Sequence, residues 1–142
     1  MSSKAALLLC FDVGEKRVGV AKAVRSPGIA FAISTLNNDA TITDELALLI
    51  QIEHPDRLVV GRPRNQAGEA TKQTKWVEQW VKKHLAPLNL PISWQDESLT
   101  SVAAEEHLKR SKKKYSKGDI DAAAAAVILQ DFIEEYWHAT AK

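Results

Sequence analysis

Acidic residues stand at several points of this sequence where a predicted strand ends or a predicted helix begins. Asp12 and the pair Asp96-Glu97 each follow a predicted strand, and Asp121 precedes five consecutive alanines. A carboxylate at the end of a buried strand is unfavourable unless it is solvated, hydrogen-bonded or bound to a cation. Since Mg²⁺ prefers oxygen ligands, this pattern is compatible with a site for hard divalent cations.

The chemistry that such a site would perform is hydrolysis at phosphorus. Two divalent ions about 4 Å apart can activate the attacking water and stabilise the leaving oxygen of a phosphodiester. Each acid also has a structural explanation. Asp12 could cap a hairpin turn, and Asp119 and Asp121 could complement the dipole of a helix that begins near them. Taken singly, the acids leave both roles open.

The predicted elements would bring these acids to one edge of a sheet. Strands are predicted over residues 7–11, 18–20, 28–35, 57–61 and 92–95, and helices from Thr41, over 67–85, through 102–108 and from near Asp119. Three successive strands followed by β/α alternation predict an α/β fold with a mixed five-stranded sheet and helices on both faces. Ligands collect at the carboxyl ends of strands in such sheets. The five alanines should let the last helix approach the sheet closely.

Composition sets the limits of this interpretation. With 142 residues, 45% hydrophobic and 26% charged, the chain is expected to form a single domain, residues 1–142. A net charge of +1 gives no global argument for nucleic acid, so local basic patches must supply one. The single cysteine, Cys10, excludes an intrachain disulfide and a cysteine zinc cluster. No membrane-length apolar run or signal-peptide pattern occurs, so we expect a cytoplasmic protein.

Four segments resemble the motif blocks of one known family. They are DVGEKRVGVA (12–21), VVGRP (59–63), DESLTS (96–101) and KGDIDAAAAAVILQDFI (117–133). In order and spacing they are similar to the YqgF/RuvX family, whose members have a ribonuclease H-like fold. Those members are described as Holliday junction resolvase-like and as nucleases of the pre-16S rRNA end. The resemblance implies that Asp12, Glu97 and Asp121 are catalytic and bind Mg²⁺ or Mn²⁺.

Two positions depart from the family pattern. The third block usually reads Asp-Glu-Arg, whereas this chain has Ser98 after Asp96-Glu97. The second block carries Arg62 where an apolar residue is common. Because neighbouring residues of a strand point in opposite directions, we further expect Glu97, and not Asp96, to face the site.

Basic residues near the acids are candidates for holding phosphates. The substrate-binding set predicted from their positions is Lys16, Arg17, Arg62, Arg64, Lys112, Lys113 and Lys114. The last three belong to KRSKKKYSK (109–117), which is too charged to be buried and joins two predicted helices. Lys72 and Lys75 could surround the acids as well. Scattered surface charge is the alternative, and Trp76 and Trp80 are interpreted as core or subunit contacts.

The favoured hypothesis is a metal-dependent endonuclease that acts on structured RNA, in 16S rRNA 5'-end maturation. Branched DNA, as in a Holliday junction resolvase-like nuclease, is the second substrate considered. A non-catalytic nucleic-acid-binding domain of the same fold is the second class, and the missing arginine at Ser98 favours it. A sugar or acetate kinase is disfavoured, because such kinases close two lobes of this fold around a nucleotide. The sequence leaves the oligomeric state open.

Overall fold

The centre of the molecule is a five-stranded β-sheet. A computed structural model describes residues 7–25, 28–63, 67, 69–97 and 117–137. The strands are β1 (Leu7–Val13), β2 (Arg17–Val24), β3 (Phe31–Asn37), β4 (Arg57–Pro63) and β5 (Ile92–Glu97). They lie in the order β3-β2-β1-β4-β5. The first three pair antiparallel, and β4 pairs parallel with β1 and β5, so the predicted mixed sheet is confirmed.

Three α-helices lie within the described ranges. They are α1 (Ile42–Glu53), α2 (Lys72–His84) and α3 (Lys117–Phe132). A short 3₁₀ turn follows α2 at Ala86–Leu88, and a π-helical turn continues α3 over Ile133–Trp137. The helix predicted through residues 102–108 lies outside the described residues. None of the described helices combines the length and apolar composition that crossing a membrane requires.

Several element boundaries differ from the sequence prediction, and two of these differences have clear local reasons. β3 begins at Phe31 and not at Gly28, because Gly28 has a φ of 77° and its N–H closes a turn after β2. α2 begins at Lys72 and not at residue 67. Thr71 is extended there, and its hydroxyl accepts a backbone N–H of the first helical turn in a capping box.

Alternating side chains of β1 divide the core into two layers. Leu9 and Phe11 belong to a layer formed with α1 and α2, while Leu8 and Cys10 belong to a layer formed with α3. We call these two sides of the sheet the α1/α2 face and the α3 face. The α1/α2 layer also contains Val13, Leu46, Leu58, Val60, Val77 and Trp80. The α3 layer contains Val59, Ala125, Ile128, Leu129 and Phe132. Helices therefore cover both faces, as predicted.

Helix α3 lies unusually close to β2. A Cβ atom built on Gly19 would overlap the backbone carbonyl of Asp121 and would stand 2.8 Å from the backbone nitrogen of Ala122. Glycine is therefore required at this crossing, whatever its φ. The small side chains of Ala122 and Ala125, both buried, extend the close contact along the helix. The second turn of α3 is thus fixed against the middle of the antiparallel part of the sheet.

Candidate active site

Asp12 and Asp121 lie on the same side of the sheet, although 108 intervening positions separate them in the sequence. Asp12 pairs directly with Gly19 in the β1–β2 ladder. Directly opposed residues of neighbouring strands project to the same face, and the Cβ direction of Gly19 meets the backbone of Asp121. Both aspartates are half-buried. The contact at Gly19 therefore brings two carboxylates together at the end of β1.

Arg17 is in direct contact with one of these acids, Asp121. Its Nε donates a hydrogen bond to Oδ2 of Asp121 at 2.6 Å. Arg17 opens β2 two residues before Gly19, which puts both on the same face. About a third of its side chain, 32%, remains exposed, against 26% for Asp121. The pair is open to solvent, so ions and phosphates can reach it.

A network of hydrogen bonds holds the turn that carries Lys16 and Arg17. Gly14 donates its N–H to the carbonyl of Arg17 at 2.9 Å. Asn38 donates from Nδ2 to the Gly14 carbonyl at 2.8 Å and from its backbone N–H to the Lys16 carbonyl at 2.9 Å. Trp80 of α2 then donates from Nε1 to Oδ1 of Asn38 at 3.0 Å. Sequence reasoning missed Asn38, since a lone asparagine after a strand gives no distinctive signal.

The third block ends at the same edge of the sheet. Gln95 is buried, and its Nε2 donates to Oε1 of Glu135 at 3.2 Å, beyond the end of α3. Gln95 therefore points to the α3 face, while Asp96 is exposed and follows Trp94 onto the α1/α2 face. Glu97 occupies the position two residues after Gln95 and pairs with Pro63 of β4. Its side chain lies outside the described residues.

The donor chemistry of this edge suits a hard divalent cation. Asp12 and Asp121 supply carboxylate oxygens, which Mg²⁺ and Mn²⁺ prefer. Asp121 already binds a cationic group, the guanidinium of Arg17, so the position favours positive charge. Among the side chains that the structure describes, no group of three or more His, Cys, Asp and Glu residues could hold a metal ion.

Arg62 does not reach the acids. Its guanidinium carbon lies 4.6 Å from the centroid of the Trp94 ring, and its Nη2 lies 3.5 Å from Oε2 of Glu78 on α2. Both partners belong to the α1/α2 face, so Arg62 is on the opposite side from Asp12 and Asp121. Lys16 is exposed in the hairpin turn next to Arg17. The remaining predicted cations lie outside the described residues: Arg64, Lys112, Lys113 and Lys114.

The fold defines the class of protein to which this arrangement belongs. The mixed five-stranded sheet with acids at its strand ends is a ribonuclease H-like fold. The solved structure of T. thermophilus RuvC in complex with a Holliday junction substrate is similar, with a TM-score of 0.56 and 14% sequence identity. The similarity covers 91% of this chain and 95% of that chain. At this level of identity it shows the fold alone.

Sequence comparison identifies the family. Residues 6–135 match the RuvX family, described as Holliday junction resolvase. A "Putative pre-16S rRNA nuclease" of Crocosphaera subtropica is 38% identical over 131 residues, 89% of this chain and 92% of that protein. A protein of the same name from Synechocystis sp. is 38% identical over 136 residues, 93% of this chain and 90% of that protein. The chain belongs to the RuvX family and is a nuclease, a hydrolase whose substrate is nucleic acid.

Proposed function

We propose that this protein is a divalent-metal-dependent endonuclease that cleaves structured RNA at the 5' end of the 16S rRNA precursor. The observation that carries the proposal is the meeting of Asp12 and Asp121 on one face, enforced by the contact of Asp121 with Gly19. The name shared by relatives at 38% identity supports the choice of RNA. We also propose that the protein works in the cytoplasm, which agrees with its one cysteine being buried and reduced.

The acids have the role of ligands in this proposal. Asp12, Glu97 and Asp121 would hold Mg²⁺ or Mn²⁺, with Asp12 between the other two. When bound, the ions supply an activated water and neutralise charge that develops on the leaving oxygen. The carboxylates would fix the position of the ions, because Asp12 and Glu97 belong to strands of the sheet and the second turn of α3 packs directly on β2. Loss of any one carboxylate should therefore weaken ion binding and cleavage together.

The hairpin cations have the role of holding phosphate. Arg17 can present its remaining N–H groups to a phosphate oxygen while its Nε stays on Asp121. Lys16 adds a second positive charge at the exposed turn. We assign Arg64 and the lysines at 112–114 to the RNA backbone on charge and sequence position. Arg62 is excluded from this assignment, because it is engaged with Trp94 and Glu78 on the other face.

Branched DNA is the second candidate substrate. The description of the matching family as Holliday junction resolvase favours it. A cleavage assay with Mg²⁺ or Mn²⁺ separates the possibilities. The protein is incubated with RNA and DNA versions of one branched sequence and with a precursor fragment that spans the 5' end of 16S rRNA. We expect cleavage of the precursor fragment and slower or no cleavage of DNA. Preferential cleavage of the DNA junction would replace RNA by DNA, and binding without any metal-dependent cleavage would contradict the enzyme.

A further inference from the structure

Helix α2 carries a basic stripe that the candidate active site does not use. Lys72, Lys75, Gln79 and Lys83 follow one another at spacings of three and four residues, which puts them on one side of a helix. All four are exposed. The single acid of α2, Glu78, is engaged with Arg62 elsewhere on the helix surface. The stripe therefore presents three positive charges with no acid from its own helix between them.

An aromatic groove runs beside this stripe. It has a volume of about 330 Å³ and lies between α2 and the β1–β2 hairpin turn. Trp76, half-buried, and Trp80, whose ring centroid is 5.0 Å from that of His84, provide its apolar surface. Gln79 and Lys83 line its polar side. Burial and the nearby Lys83 lower the pKa of His84, so its imidazole tends to be neutral at physiological pH.

The chemistry of the groove matches an unpaired nucleotide. A base has a flat face that can stack on an indole ring, and such stacking tolerates any sequence. Its edge carries donors and acceptors that suit the side-chain amide of Gln79. Its phosphate would meet the ammonium of Lys83. Glu15 of the hairpin also lines the groove, at the side next to the sheet edge.

The stripe lies on the α1/α2 face, beside the edge of the sheet that holds the acids. Thr74 in the first turn of α2 donates its hydroxyl to the carbonyl of Pro63, the last residue of β4. The start of α2 is therefore tied to the carboxyl edge of the parallel strands, where Asp12 also lies. With a rise of 1.5 Å per residue, Lys83 lies about 16 Å along the helix from Lys72. Because Lys83 shares its groove with Glu15 of the hairpin that follows Asp12, a strand leaving the acids on the α3 face would reach the stripe by passing over the sheet edge at this hairpin.

We infer that Lys72, Lys75, Trp76, Gln79 and Lys83 form a binding site for a single-stranded segment of nucleic acid that extends from the cleavage site. This inference deepens the proposed function by naming an unpaired extension as part of the substrate. Three lysines and the accessible part of the Trp76 ring beside them favour this occupant. The site itself needs neither metal nor cleavage, so it can be tested separately.

Two neighbouring lysines supply a matched pair of variants. Lys83 lines the tryptophan groove, whereas Lys82 is also exposed but lines a different groove with Arg62 and Glu78. Each Lys→Ala change removes one charge from the last turn of α2. Binding of a labelled, unpaired oligonucleotide of about ten residues, as RNA and as DNA, is measured by fluorescence anisotropy without metal at several salt concentrations. Lys83→Ala should reduce the slope of log affinity against log salt by about 0.7, and Lys82→Ala should not.

Stacking on the indole gives a second, independent readout. Trp76→Leu keeps an apolar side chain but removes the aromatic face, and affinity should fall about fivefold or more. Circular dichroism melting establishes that this variant is folded. Equal salt slopes for the Lys82 and Lys83 variants would overturn the inference, as would a failure of wild type to bind either oligonucleotide. If the stripe fails these binding tests but wild type cleaves RNA, the proposed function stands and only the inference about the stripe is wrong. If the oligonucleotide binds to the stripe as expected but wild type does not cleave, only the nuclease proposal is wrong.

Discussion

The two faces of the sheet are built from residues of different size, and this difference separates stability from chemistry. The α1/α2 face buries large side chains, among them Phe11, Leu46 and Trp80. At the site end, the α3 face uses Gly19 and small alanines, so the helix backbone itself reaches the sheet. Large side chains between a helix and a sheet keep the two backbones apart, whereas small side chains let the helix backbone touch the sheet. Small residues allow α3 to set Asp121 beside Asp12.

The strongest test of this comparison removes one carboxylate from the α3 face. Asp12→Asn keeps the size of the side chain but removes its charge, so metal-dependent cleavage should fall by at least about 100-fold. The folded state should survive with little change in melting temperature, since the large apolar layers are untouched. Cleavage rates under saturating Mn²⁺ and thermal melts measure the two effects. Unfolding of this variant, or cleavage at the wild-type rate, would contradict a ligand role for Asp12.

Adjacent acids of β5 test whether the face decides the function. Glu97→Gln should lower cleavage by about tenfold or more, because the proposed metal ligand loses its charge. Asp96→Asn is the matched control, since Asp96 is exposed on the α1/α2 face and its loss should change cleavage by less than about twofold. Cleavage rates of both purified variants on the same RNA show which of the two acids contributes to catalysis. Equal damage from the two substitutions would show that strand alternation does not select the ligand.

One substitution on each face should separate activity from stability. Gly19→Ala forces a Cβ against the backbone of α3, and we expect a loss of about 1–3 kcal/mol in stability together with impaired cleavage. Leu46→Ala empties a fully buried site on the other face and should cost about 2–5 kcal/mol. Cleavage per folded molecule should stay normal in the Leu46 variant. Chemical denaturation combined with activity at low temperature measures both quantities, and equal activity loss would remove the distinction between the faces.

The Arg17–Asp121 ion pair should matter for binding more than for folding. It is partly exposed, so Arg17→Gln should change the free energy of unfolding by less than about 1 kcal/mol. Removing the competing cation should tighten Mn²⁺ binding several-fold, while RNA affinity falls through loss of a phosphate contact. Calorimetric titration of Mn²⁺ and RNA anisotropy measure the opposing changes. Weaker Mn²⁺ binding in this variant would show that Arg17 orients Asp121 instead of competing at it.

The smallest expected effect concerns Asp131, in the last turn of α3. Burial, together with the neighbouring Glu134 and Glu135 carboxylates, raises the pKa of Asp131 above its ordinary value of 3.8. The folded state therefore binds this proton more tightly than the unfolded state does. The ionised carboxylate lowers the free energy of unfolding at pH values above the folded pKa, and this loss disappears as the pH falls below the ordinary pKa. Asp131→Asn should therefore stabilise the protein slightly at neutral pH and not below the ordinary pKa. Denaturation curves at neutral pH and below pH 3.8 measure the change in the free energy of unfolding. Asp44→Asn, which changes an exposed acid of α1, is the control.

Several features were predictable because they depend on local patterns. The apolar run from Leu7, the turn at Gly14 and the following β/α alternation predicted the mixed sheet and its helices. Period-two alternation also predicted opposite faces for neighbouring residues at the end of β5. Element boundaries were less predictable, because the conformation of Gly28 and the capping hydroxyl of Thr71 set them.

The sequence by itself determined the order of the elements, the two apolar faces and the acids at their ends, since these follow from short-range periodicity and residue type. Only the tertiary structure decided which side chains meet. The overlap of Gly19 with the α3 backbone, the assignment of Arg62 to the far face and the bridging of the hairpin by Asn38 all involve residues distant in sequence. Such contacts depend on the separation of a helix from a sheet, and many side chains set that separation jointly.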